Sequence, residues 1–151
     1  EKTYETAKQN GFALVFGFPN KNSYHGFTKK LNWYDLGRMS IFRMVSRPSR
    51  SEYIRLRLEE INEFDERVDR LWENAKDSYG ITVPRTKDFL NWRFFKNPHA
   101  KYVKFVIKED GHGILGYVVL KTYRPEEGLA QGHIVDFLSF CNEDIAVALV
   151  E

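Results

Sequence analysis

Asp136 is the only carboxylate in the apolar run Ile134-Val135-Asp136-Phe137-Leu138, and that setting marks it for chemistry. On a central strand, a carboxylate whose pKa is raised by burial can take a proton from an amine as a general base. The same residue read structurally is an acid paired with an arginine such as Arg93, or one on the solvent side of its strand. His133 lies on the opposite face if the strand is regular, so the two are not read as a dyad. Asn20 and Ser23 follow the apolar run Phe12–Phe18 and the turn at Pro19. They stand where a strand's carboxyl end meets a helix's first turn, the place where open α/β sheets gather free backbone N–H groups and bind ligands. Cys141 has the acids Glu143 and Asp144 close behind it, which raise a thiol's pKa, so it reads as packing and not as a nucleophile. The histidines His25, His99, His112 and His133 show no metal-ligand spacing, and no metal is expected.

The elements that must hold these residues are legible in outline. Residues 1–9 read as a helix tail with Tyr4 and Ala7 on one face, stopped at Asn10-Gly11. Phe12–Phe18 reads as a strand buried on both faces. Lys21–Leu31 reads as a short helix with Tyr24, Phe27 and Leu31 on one side, and Leu36–Val45 as a further strand. Ser46–Ser51 is a linker of turn formers, within the most arginine-rich part of the chain. That region is read as a solvated face, with docking of an anionic partner as the sharper alternative.

Beyond the linker, Ile54, Leu56 and Leu58 alternate as in a half-buried strand. A helical stripe follows over Phe64, Val68, Leu71, Trp72, Ala75 and Tyr79. Thr86 is the N-cap of a second helix carrying Phe89, Leu90, Trp92 and Arg93, which ends before Asn97-Pro98. Strands at Tyr102–Lys108 and Ile114–Tyr123 flank the hairpin signal Asp110-Gly111-His112-Gly113. His133–Phe140 is one more strand, and a last helix carries Ile145, Ala148 and Leu149. Trp72, Trp92 and Trp33 are all expected in the core.

With 151 residues and 42% hydrophobic content, the chain has the means to build a folded core. A net charge of +2 gives no strong field, which argues against nucleic acid as the main partner. No apolar run is long enough for a membrane span, so no membrane association is expected. A single cysteine fits a reducing, cytoplasmic setting.

The run Gly17-Phe18-Pro19-Asn20, then Ser23, Phe27, Lys29-Lys30 and Trp33, resembles the closing half of a GNAT-superfamily N-acyltransferase. It is most similar to a two-domain branch associated with bacterial polysaccharide gene clusters. Phe89–Phe94, Asn97-Pro98, Tyr102, Gly116–Val119 and Ile134–Asp136 resemble the opening part of that branch's second domain. The resemblance therefore implies residues 1–45 as a closing half, 46–51 as linker and 52–151 as an opening half. Two arrangements follow: the end of one domain joined to the start of the next, or one composite domain with its halves in permuted order. The composite is preferred, because two open half-sheets expose unpaired edges. It is an α/β (α+β) fold with a mixed central sheet flanked by helices, in which Phe12–Phe18 lies parallel to Ile134–Phe140.

Acyl-CoA-dependent transfer to an amino sugar or a similar small amine is what the resemblance implies, with acetyl-CoA or another acyl-CoA as cofactor. Homo-oligomerisation is compatible with it. Phe16, Gly17, Phe18, Asn20 and Ser23 would line the cofactor's pantetheine arm, and Asp136 would stand near the acceptor. The family often carries a tyrosine as general acid on the helix after that strand. Phe27 is the nearest match and has no proton to give, which leaves Tyr24, one turn earlier, as the candidate. The pyrophosphate loop of the family is rich in glycine and basic residues. Here its place is taken by Ser139-Phe140-Cys141-Asn142-Glu143-Asp144, with neither. The chain by itself is therefore expected to bind acetyl-CoA poorly, and a non-catalytic module shaping an acceptor pocket or subunit interface is the alternative.

Overall fold

Four strands form one antiparallel sheet in the order β1-β2-β3-β4: β1 Leu58–Ile61, β2 Val103–Glu109, β3 Gly113–Tyr123 and β4 Gln131–Ser139. This computed structural model describes residues 2–45, 58–109, 113–140 and 142–150. The chain divides into two compact units, Glu1–Met44 and Val45–Glu151, and the sheet belongs to the second. Helices α3 (Arg67–Ala75) and α4 (Lys87–Phe94) intervene between β1 and β2, and α5 (Glu143–Val150) follows β4.

The two faces of the sheet have separate cores. On one, Val106, Tyr117, Val119 and Leu138 pack with Phe64, Val68, Leu71 and Trp72 around α3, and with Leu90 and Phe94 of α4. On the other, Ile107 and Val118 pack with Ile145 and Leu149 of α5. Alternation along β3 sorts its residues between these cores, as a strand with a period of two requires. Gly116 marks the closest approach of α5. A Cβ there would lie 2.8 Å from Leu149 Cδ1 and 3.0 Å from both Ile145 Cγ2 and the Leu138 carbonyl.

Local chemistry accounts for the helix boundaries. Thr86 caps α4 as expected, its side chain accepting from the Phe89 N–H. The buried side chain of Asn91 ties α4 to the segment before α3. Its Oδ1 accepts from the Phe64 N–H at 2.9 Å and its Nδ2 donates to the Phe64 carbonyl at 2.8 Å. Both donor and acceptor of one buried residue are thereby satisfied.

The paired strands β2 and β3, both sheet-flanking helices, β4 and α5 form where expected, while Asp110, Gly111 and His112 of the expected hairpin turn lie outside the described residues. The strand expected over Ile54–Leu58 is present from Leu58 onward, while Ile54 and Leu56 lie outside the described residues, as does the linker 46–51. Trp92 departs from expectation: it is 64% exposed, not core. Leu90 and Phe94, one turn apart, define the buried stripe of α4, and Trp92 lies on the opposite side of the helix.

The first unit differs more. Helix α1 (Lys2–Gln9) forms and ends at Gly11, whose φ of +76° suits glycine at a helix stop. Helix α2 (Lys21–His25) runs on into a π-helical turn at Gly26–Lys30. The expected strands at Phe12–Phe18 and Leu36–Val45 are not present; both stretches lie outside any helix or strand. Among the described residues the sheet consists of β1–β4, with β4 at its edge beside β3. The sheet is antiparallel throughout, not mixed. No described residue of the first unit is fully buried, and Trp33 is only half-buried against Phe27 and Tyr4. Apolar content alone makes a run fit for a buried strand, but a strand also needs a neighbour to complete its hydrogen bonds.

Candidate functional site

Asp136 sits on β4 opposite Val119, on the sheet face covered by α3 and α4. The pairing then jumps: Val119 faces Asp136, but Leu120 faces Ile134, so Val135 is an extra residue. A β-bulge of this kind twists a strand and re-aims the side chains beside it. It also changes the parity of the strand. His133 pairs with Lys121 and its ring stands 6.3 Å from that of Tyr123, which puts it on the same face as Asp136. The expectation that His133 faces the other way assumed a regular strand, and the bulge overturns it.

The counter-charge of Asp136 is Arg85, not Arg93. Arg85 Nε lies 3.5 Å from Asp136 Oδ1, and the Asp136 side chain is only 8% exposed. The same carboxylate oxygen accepts from the Phe137 N–H at 2.8 Å. Arg85 is itself fixed by the segment before α4, donating to Thr82 Oγ1 and, at 2.6 Å, to the Val83 carbonyl. Arg93 instead lies over the ring of Phe94, 5.4 Å from its centre. Arg85 stands between Pro84 and the capping Thr86, and nothing in the sequence marks it as the partner of Asp136.

Tyr117 completes the cluster. It is wholly buried, and its hydroxyl is without a hydrogen-bond partner among the described residues. Burial, then the nearby Asp136 charge, push its phenol pKa far above the ordinary tyrosine value, with Arg85 acting in the opposite direction. The arrangement thus combines an acid with its counter-ion and a phenol that holds its proton.

The expected site residues of the first unit are occupied locally. Asn20 caps α2: its Oδ1 accepts from the N–H groups of Asn22 and Ser23, each at 3.0 Å. Ser23 Oγ accepts from the Asn20 N–H at 3.1 Å, closing a reciprocal capping box. Gly17 lies against Trp33, whose ring would stand 3.4 Å from an added Cβ. The Phe16 and Phe18 rings meet edge to face at 6.1 Å and remain largely exposed. The Tyr24 hydroxyl donates to Asp35 Oδ2 at 2.5 Å. That hydrogen bond raises the Tyr24 pKa and lowers that of Asp35, so the phenol gives up its proton less readily.

At the start of α5, Asn142 does the capping. Its backbone carbonyl accepts from the Ala146 N–H, and its Oδ1 accepts from the Asp144 N–H at 2.8 Å. Glu143 and Asp144 fill the first turn. These acids suit the positive helix end and oppose a phosphate there. Among the described residues, no group of three His, Cys, Asp or Glu side chains could hold a metal ion, and no helix is long and apolar enough to cross a membrane.

A separate recess of about 300 Å³ opens on α4 and the turn after it, lined by Trp92, Arg93, Lys96, Asn97 and Pro98. No protein-family model, curated protein or solved structure matches the chain.

Proposed function

We propose that residues 58–150 form the opening part of a GNAT-like fold and supply acceptor-side surface to an acyl-CoA-dependent N-acyltransferase. The acceptor class is an amino sugar or a similar small amine. The observation carrying this reading is the succession strand, two helices, hairpin, strand, helix around one sheet, with Asp136 beside the bulge on the last strand. That is the order in which a GNAT-like domain begins, and it stands apart from any single motif. In this reading Asp136 faces the amine and Arg85 keeps the carboxylate in place.

A second reading has one specific observation in its favour. The capped and acidic start of α5 offers no cradle for the cofactor's pyrophosphate, which supports a non-catalytic GNAT-like module. Thermal unfolding of the protein with amino sugars and simple amines at millimolar concentration tests for the acceptor-side surface, because a ligand bound only by the folded state raises the midpoint. The acceptor-side reading expects glucosamine to raise the midpoint and the Asp136→Asn variant to lose that rise. If no amine raises the midpoint of the unaltered protein, the acceptor-side reading falls and a non-catalytic module forming a subunit interface stands in its place.

A further inference from the structure

We propose that the recess on α4 is a binding site for a sugar ring bearing an anionic group, a carboxylate or a phosphate. Its floor is the indole of Trp92, 64% exposed and supported from one side by Phe89, whose ring centre is 6.0 Å away. An indole held open to solvent offers a flat apolar face suited to the C–H face of a pyranose.

The polar lining consists of donors. The Arg93 and Lys96 side chains make no ion pair or hydrogen bond among the described residues, and the Arg93 guanidinium lies over the Phe94 ring. The Asn97 side-chain Oδ1 accepts from the His99 N–H at 2.9 Å, which leaves the side-chain N–H₂ to donate. The stretch from Asn91 to Tyr102 carries Arg93, Lys96 and Lys101 and no acid. A wall of donors with uncompensated positive charge calls for a ligand group that only accepts, and charged acceptors make the strongest such bonds. Its volume of about 300 Å³ suits a single ring. A groove that tracks a nucleic-acid strand would extend well beyond the five residues of this lining.

The site is independent of the acyltransfer reading, since none of its residues belongs to the Asp136 cluster. The test is a titration followed through the indole N–H signals of the ¹⁵N-labelled protein. Trp33, Trp72 and Trp92 give three such signals, and Trp92→Phe identifies one of them. Glucuronate and glucose 6-phosphate are the probes; whichever binds more tightly identifies the anion. Glucose, inorganic phosphate and a short oligothymidylate are the comparisons.

Saturable movement of the Trp92 signal alone, weakened at least tenfold in the double variant Arg93→Ala, Lys96→Ala, is expected. Equal response to glucose would overturn the role of charge. Equal response to inorganic phosphate would overturn the role of the ring. Tighter binding of the oligonucleotide would make the recess part of a nucleic-acid surface. Failure of both anionic sugars to move the signal would overturn the proposal whole.

Discussion

Arg85 Nε and Asp136 Oδ1 stand 3.5 Å apart, which joins the segment preceding α4 to the edge strand β4. The two partners are not equally provided for. Without Asp136, Arg85 keeps its bonds to Thr82 and Val83. Without Arg85, the nearly buried carboxylate keeps only the Phe137 N–H among the described residues. Arg85→Ala is therefore expected to cost about 3 kcal/mol, near the lower end for breaking a buried pair. Asp136→Asn should cost less, about 2 kcal/mol, the range for a hydrogen bond to a charged group. Chemical denaturation of both variants gives the order directly. A costlier Asp136→Asn would mean that the acid, and not the arginine, is the better-supported partner.

Tyr117 offers a test in which removal of a polar atom does no harm. Its buried hydroxyl lacks a partner among the described residues, so Tyr117→Phe is expected to be neutral or stabilising by up to about 1 kcal/mol at neutral pH. The pH dependence has a definite sign. Burial raises the folded-state pKa, so the favourable contribution is complete below the ordinary tyrosine range and is lost as pH rises. Above about pH 10 the unfolded phenol ionises while the folded one does not, costing about 1.4 kcal/mol per pH unit. Denaturation midpoints for the unaltered protein should fall more steeply at alkaline pH than those of Tyr117→Phe. Equal slopes would show that the hydroxyl is not held neutral by the fold.

Asn91 carries a different kind of load. Its amide closes two bonds to the backbone of Phe64 inside the core. Replacement by leucine keeps the volume and removes both partners, leaving one buried N–H and one buried carbonyl unpaired. Each such group costs about 1–3 kcal/mol, so Asn91→Leu should cost more than either change in the Arg85 pair. Urea unfolding monitored by Trp72, which lies in the same core, is a suitable measurement.

The second unit was readable in the chain because each of its signals was local. Thr86 announced a cap, Asp110–Gly113 a hairpin, and the Phe64–Tyr79 stripe a helix. What escaped required knowledge of neighbours. Val135 gives no mark in the sequence that it will bulge, yet the bulge decides which face His133 shares. Arg85 as the partner of Asp136 depends on how the segment before α4 lies across the sheet. Trp92 was a missed opportunity, since the Leu90 and Phe94 spacing already placed it off the buried stripe. In the first unit, the apolar character of Phe12–Phe18 was plain, but nothing local supplied a ladder partner. Asn20 and Ser23 were located at the helix start, and their mutual capping is the use a helix start most commonly makes of such residues.

The most direct measurement is paired calorimetric titration of the protein with glucosamine and with acetyl-CoA. The account assigns acceptor-side surface to the Asp136 region and denies a pyrophosphate cradle to the start of α5, where Asn142, Glu143 and Asp144 occupy the helix end. It predicts saturable heat with glucosamine, abolished in Asp136→Asn, and none with acetyl-CoA at millimolar concentration. Binding of acetyl-CoA without binding of glucosamine would contradict it.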